Sequence, residues 1–363
     1  MSKYATRRDR LRRRMKKSQL TSMLVTNEVN VTYLTGFTGD SSFLLLHPTG
    51  AIVISDSRYS EQLEEECSDL DHDIRQSSQR IVAAVSRLTR RLKISALGVE
   101  SGSMTMAMHR QLAAAVGTTE LVATEGQVEQ LREIKDASEI STIRRAVRIA
   151  ERAFAATRAM MRDGQSEREI AFELENQVRM LGARGCSFDP IVAVGPRAAL
   201  PHATPGERQI GESDFVLIDW GADFDMYRSD LTRILVTGKI SPKLQRIYTV
   251  VLRAQLRAIK AIRPGALMKD VDAAARGVIE KAGFGKKFGH SLGHGIGLDI
   301  HEEPRLASGQ DRPLKPGMVV TVEPGIYLPG WGGVRIEDDI LVTRDGHEVL
   351  STVSKQLDDC QVQ

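Results

Sequence analysis

The chain has 363 residues, 41% of them hydrophobic and 27% charged, a composition that suits a folded globular protein with apolar mass for two domains. A formal net charge of +3 argues against a dedicated nucleic-acid binder, and no run approaches the ~20 apolar residues of a membrane span. Three scattered cysteines, Cys67, Cys186 and Cys360, form no CxxC pair, which favours reduced thiols and a cytoplasmic location over a disulfide frame or a zinc knuckle.

The first predicted element is the basic stretch TRRDRLRRRMKK, Thr6 to Lys17. It reads as a transit peptide, a polyanion-binding arm or the wet face of a first helix. Leu11 and Met15 lie four apart and a strand-like TSMLVT follows at once, which favours the helix. VTYLTGF and SSFLLLHPTGAIVIS read as strands, with HPTG as a hairpin turn. Ser78 to Leu92 and Met106 to Val116 read as helices. The result is a small α/β domain over 1–130. Asp56, Arg58 and Tyr59 face either solvent or a partner subunit.

The boundary falls near Gly126 to Lys135. Asp136 with Glu139 forms a capping box, and a helix runs on to about Met161; Ser166 with Glu169 caps a second one, ending near Gly182. The strand-like runs PIVAVG, FVLIDWGA and LTRILVTG follow. The pattern then repeats. Ser241-Pro242 opens a helix to about Ile262, Lys269 to Ala282 forms another, and MVVTVEPGIYL and GVRIEDDILVT read as strands. The second domain, 131–363, is thus helix, helix, strands, twice over, which implies an internal duplication about a pseudo-two-fold axis.

Four carboxylates interrupt these apolar runs. Asp219 ends one strand and Asp230 opens the next, while Glu323 and Glu337 lie inside strand-like runs of the other half. Ionised carboxylates rarely enter a sheet core unpaired, and four converging would repel one another. Taken singly, Asp219 or Asp230 reads as a turn or cap residue, and Glu323 or Glu337 as a solvent-facing position. Taken together and mirrored in both halves, with His294 beside them, they read as a metal site. Oxygen ligands with one imidazole suit manganese first, with cobalt, iron or zinc as alternatives. Five protein ligands exceed the three of a catalytic zinc, but suit a pair of ions that activates water for hydrolysis. Asp225, Asp338 and Asp339 are read as solvent-facing or supporting groups, and Glu302 and Glu303 as loop groups outside the metal shell.

At these residues the sequence resembles the pita-bread metallopeptidases: Xaa-Pro aminopeptidases, prolidases and methionine aminopeptidases. The resemblance rests on LPHATPG, IDWGADFDMYRSDLTR, GHGIGLDIHEEP, VEPGIY and GVRIEDD, in that order, and on VTYLTGFTG and SDSRYSEQ, which resemble a creatinase-type N-terminal domain. It implies that Asp219, Asp230, His294, Glu323 and Glu337 hold two metal ions, bridged by Asp230 and Glu337, with Glu323 also taking a proton from water. It implies that His202 and His301 face the substrate and that Arg335 pairs with acidic groups behind the site. It places Phe188, His290 and Tyr327 along the substrate pocket; for His290 a purely structural role is the competing reading.

GHGIG with HEEP also resembles methionine aminopeptidase. The preceding domain, YRSDLTR and GVRIEDD tilt toward the proline-specific branch. Creatinase lacks this ligand set, and a catalytically dead binding module would have lost it. Within the branch the expectation is an Xaa-Pro aminopeptidase, with Xaa-Pro dipeptidase as the alternative. Proline-containing peptides are the expected substrates and a homodimer the expected assembly.

Overall fold

The structure is a computed structural model that describes residues 2–76 and 78–362; Met1 and Gln363, the outer limits of the two expected domains, lie outside them. The chain divides into two compact units between Arg132 and Glu133.

In the first unit, strands β1 (Met23–Val25), β2 (Phe43–His47), β3 (Gly50–Asp56), β4 (Asp71–Arg75), β5 (Ala96–Glu100) and β6 (Glu120–Thr124) form one mixed sheet in the order β4-β3-β2-β1-β5-β6. Leu24, Leu45 and Ile54 pack there with Val85 and Leu88 of the helix Ile81–Arg91 and Leu112 of the helix Met106–Val116. The basic stretch is a helix, Lys3–Lys17, with Leu11 and Met15 buried. Its polar face is not all wet. Arg7 and Arg8 are buried, because their guanidinium groups donate to the carbonyls of Tyr33 and Leu34 at the end of the next helix.

That next helix corrects a strand expectation. VTYLTGF lies mostly in the helix Glu28–Thr35. The Asn27 side chain caps its start by accepting from Val29 N and Asn30 N, and Gly36 ends it in the left-handed conformation. Two strong end signals outweigh the β-branched composition between them.

The second unit begins with the helices Ala137–Met160 and Glu167–Met180, and both expected capping boxes are present in full. The strands β7 (Gly185–Cys186), β8 (Ile191–Val194), β9 (Phe215–Trp220), β10 (Ala222–Phe224), β11 (Tyr227–Arg228) and β12 (Leu231–Val236) follow. The helices Pro242–Ala261 and Met268–Lys281 start the second pass. The strands β13 (Gly293–Gly295), β14 (Glu302–Leu306), β15 (Val319–Val322), β16 (Gly325–Leu328), β17 (Gly332–Arg335), β18 (Asp338–Val342) and β19 (His347–Val349) complete it. The principal sheets are β12-β9-β8 and β14-β13-β15-β18-β19, with β16-β17 as a separate hairpin.

Strand β9 shows how the fold places an acid indoors. Val216, Ile218 and Trp220 pack with Phe154 and Leu174 of the first helix pair, and Phe215 and Leu217 pack with Val251, Val320 and Ile340 on the other side. Alternation then puts Asp219 on the face of Phe215 and Leu217, turned toward the second half of the unit.

Candidate metal centre

Each acidic residue of the cluster stands where a strand starts, ends or breaks. Asp219 lies directly across from Thr232 in the β9–β12 pair, and Asp230 immediately precedes β12. Glu323 and Glu337 are not inside strands, contrary to the sequence expectation. Glu323 sits with Pro324 between β15 and β16, and Glu337 with Ile336 between β17 and β18. At both points the chain leaves one sheet for another, and Pro324 has no N–H with which to continue a ladder. Backbone bonds hold each glutamate in its break: Glu323 N donates to Leu292 O (2.9 Å), and Glu337 N to Thr232 O (3.2 Å).

The glycines of GHG let β13 enter this crowd. A Cβ on Gly293 would lie 2.0 Å from Thr321 O, and one on Gly295 would lie 2.3 Å from Glu303 O. Only glycine permits such backbone approach. His294, between them, is buried, and its Nδ1 lies 3.0 Å from Gly295 O. A carbonyl only accepts, so Nδ1 carries the proton and Nε2 carries a lone pair. Burial holds this imidazole at about 4, hence neutral.

The Nε2 lone pair points into negative charge. Glu323 Oε1 is 3.5 Å away and Asp230 Oδ2 3.7 Å. Among the described residues, Asp230, His294 and Glu337 offer ligand atoms that all lie within 4.8 Å of one another. Asp219 Oδ1 and Asp230 Oδ1 are buried with no hydrogen-bond partner. Burial, with Glu337 and Asp219 close by, pushes Asp230 far above the usual carboxylate range. Burial, then Glu323 and Asp219, does the same to Glu337. Glu323 is pushed up to about 8, by burial first and by Asp219, against the opposing Arg335 charge. Four acids and a lone pair with unpartnered oxygens form a donor set that suits divalent cations.

The groups around the cluster orient it. Arg335 donates to Asp219 Oδ2, to Thr232 Oγ1 (3.0 Å) and to Tyr327 Oη (2.8 Å). Thr232 in turn donates to Glu337 Oε2 (2.6 Å). Arg335 therefore pairs with a member of the cluster itself rather than with acids behind it. His290 Nε2 accepts from Tyr327 Oη (2.9 Å) while its Nδ1 donates to Ser291 O, so that ring is fully engaged; burial holds it at about 4. The His301 ring meets His294 edge-on, with centroids 4.4 Å apart. Burial first, then the charges of His202 and Arg305, lower His301 below its ordinary value. His202 is exposed beside it. Phe188 is half-buried on the loop between β7 and β8, next to Ser187, which donates to Ser229 O.

Asp339 and Asp338 are fully buried, so of the two readings open for them the supporting one holds, whereas Arg305 is a residue that sequence reading missed. Asp339 Oδ2 accepts from Asp230 N (3.0 Å), and Asp338 accepts from Arg233, Gln255 and Lys355. Arg305 lies directly across from His294 in the β13–β14 pair, which puts both side chains on one face. Glu302 and Glu303, expected in a loop, are the first residues of β14.

Residues 141–344 match metallopeptidase family M24, and residues 7–134 match the creatinase/prolidase N-terminal domain. The chain belongs to metallopeptidase family M24. Its fold is the pita-bread fold of that family, with a creatinase-type domain ahead of it. An uncharacterized peptidase of Bacillus subtilis is 40% identical over 92% of this chain and 94% of its own length. An Xaa-Pro dipeptidase from Bacillus anthracis superposes with a TM-score of 0.93 at 42% identity, covering 98% of this chain and 99% of that one. An X-Pro aminopeptidase from Thermotoga maritima gives 0.87 at 36%, covering 94% and 99%. The chain is a metallopeptidase with peptides as its substrate class, and the family implies divalent metal ions. Among the described residues no helix is long and apolar enough to cross a membrane.

Proposed function

We propose that this M24 peptidase is an Xaa-Pro dipeptidase, and that Asp219, Asp230, His294, Glu323 and Glu337 hold two divalent cations, manganese first among the candidates. The observation that carries the metal assignment is the neutral His294, whose Nε2 lone pair faces Glu323 and Asp230 with nothing positive between them. Bound cations supply a Lewis acid for the scissile carbonyl and lower the pKa of water.

The chain's own residues do the rest. Arg335 and Thr232 fix the carboxylates of Asp219 and Glu337. Glu323, which stands in the break between β15 and β16 with Oε1 3.5 Å from His294 Nε2, is the proton acceptor. His301 and His202 orient the substrate carbonyl and stabilise the charge that develops on its oxygen. Tyr327 and His290 hold the wall of the pocket, with Phe188 at its edge. The leaving nitrogen of an Xaa-Pro bond is an imide with no N–H to recognise. Recognition must therefore come from the substrate's termini.

Arg305 supports the dipeptidase reading over the aminopeptidase reading that the sequence favoured. A dipeptidase must bind a free carboxylate just beyond proline, and a guanidinium is the side chain best built for one. Arg305 is exposed on the face that carries His294. The greater similarity to the Bacillus anthracis dipeptidase points the same way. The likeness to the Thermotoga maritima aminopeptidase supports the second reading, release of an N-terminal residue from Xaa-Pro-Yaa. A homodimer and a cytoplasmic location stand as further proposals, the latter supported by three free thiols.

The test is a cleavage panel with manganese: Xaa-Pro, Xaa-Pro-Yaa, Met-Ala-Yaa and Xaa-Ala-Yaa. The reading expects cleavage of Xaa-Pro alone, and a rise in KM of about 10-fold or more for Arg305→Met. Preference for Xaa-Pro-Yaa selects the aminopeptidase, and preference for Met-Ala-Yaa overturns proline specificity.

A further inference from the structure

The sequence singled out GHGIGLDIHEEP, yet the metal centre uses only its first half. Glu302 and Glu303 follow His301 directly; Glu302 is engaged by Lys135 at the start of the second unit, and Glu303 by Arg312, which also holds Glu133 there. Lys135 Nζ lies 2.6 Å from Glu302 Oε1, with both side chains almost wholly buried. Glu133 accepts two bonds from Arg312 Nη2 (2.5 and 2.6 Å), and Arg312 Nη1 reaches Glu303 Oε2 at 3.1 Å. Two alternating charge ties thus join residues 133–135 to the first two residues of β14.

Between β13 and β14 the chain turns through Ile296 to His301. Glu302 is registered against Gly295, and its carboxylate lies folded under the turn: a Cβ on Gly297 would meet Glu302 Oε1 at 2.4 Å. The turn is closed by Gly297 N donating to Asp299 O (3.1 Å), and Arg228 N donates to Gly297 O (2.9 Å). His301, at the end of this turn, is exposed on one side and meets His294 edge-on. Its ring goes where Glu302 puts the backbone. Lys135 is held in turn by its own N–H, which donates to Gly317 O at 2.9 Å.

A buried ion pair adds little net stability, since apolar replacements of both partners are often neutral, whereas removing one partner leaves a buried charge. Geometry is the more physical reason for placing one here. We propose that the Lys135–Glu302 pair, seconded by Glu133–Arg312–Glu303, is a positioning device that fixes His301 against the metal centre. It acts on turnover through His301 and not on metal retention. This rests on the peptidase role given above to His301.

The test combines kinetics with a readout independent of activity. In Lys135→Met, kcat on Xaa-Pro falls about tenfold, KM changes by less than about twofold, and manganese content stays at the unmodified level. The His301 Cε1–H resonance of the metal-free protein, assigned by its absence in His301→Ala, shifts. In the His301→Ala background, adding Lys135→Met costs no further turnover, because contacts acting through one residue are not additive. Glu302→Gln, which keeps side-chain shape, gives the same shift and serves if Lys135→Met does not fold. The double variant Lys135→Met/Glu302→Gln recovers most of the loss. An unmoved His301 resonance, or a further tenfold loss in the His301→Ala background, overturns the proposal. A moved resonance in a protein that cleaves no peptide upholds the positioning role and overturns the peptidase reading instead.

Discussion

Arg335 touches more of the site than any acid does. Its guanidinium binds Asp219, Thr232 and Tyr327, and through Thr232 it steadies Glu337. Arg335→Met leaves Asp219 buried beside three other acids with its counter-charge gone. Calorimetry of the metal-free protein should show a loss of about 3 kcal/mol, since removing one partner of a buried pair exposes the other's desolvation cost. The carboxylate cluster around His294 and the neighbouring His301 predict different signatures although the two histidine rings touch. Asp230→Ala, which removes a carboxylate facing His294, should lose metal and turnover together. His301→Ala should retain metal by elemental analysis and lose turnover about 100-fold, the usual size of one lost donor to a developing oxyanion. Asp339→Asn keeps an acceptor for Asp230 N and should retain metal. For Asp339 the sequence left a solvent-facing and a supporting role both open, because IEDD offers two adjacent acids and alternation alone does not say that both turn inward.

At the scale of elements, the capping boxes at Asp136 and Ser166 and the proline after Ser241 were legible, because each is a local signal complete within four residues. The helix Glu28–Thr35 was not, because its β-branched interior reads as strand and only its ends, Asn27 and Gly36, argue otherwise. The breaks at Glu323 and Glu337 were hidden for a different reason. MVVTVEPGIYL and GVRIEDDILVT each read as one strand-like run, and only tertiary pairing divides each between two sheets. Pro324 was the one available clue. The β13 strand carries its own prediction. Gly293→Ala puts a methyl group 2.0 Å from Thr321 O, so the strand must shift and take His294 with it. Thermal melts should show a cost of about 1–3 kcal/mol, as for other overpacked sites, and manganese affinity should fall in parallel.

For the whole molecule, the central fact is that a small, nearly neutral chain concentrates acids at one buried point. That convergence was legible as four misplaced carboxylates in two mirrored halves; the cations that pair with Asp338 beside it, Arg233 and Lys355, were not, because a basic residue in a sequence carries no mark of its eventual partner. The pH dependence follows from the same acids. In the metal-free protein Glu323 rises from 4.5 to about 8, and Asp230, Glu337 and Asp339 move in the same direction. A carboxyl raised in the folded state contributes stability that is complete below its unfolded value and is lost as pH rises through its folded value. The metal-free melting temperature should therefore fall between about pH 4.5 and 8. The manganese-loaded protein should show the opposite trend below pH 8, because the ligands must be ionised to bind. The most direct test is the number of manganese ions taken up by metal-stripped protein at pH 7.5, read by titration calorimetry and elemental analysis. Two bound equivalents with a raised melting temperature in the unmodified chain, and loss of both in Asp230→Ala, are the predicted result. An unmodified chain that binds none, and melts at the same temperature with or without manganese, contradicts it.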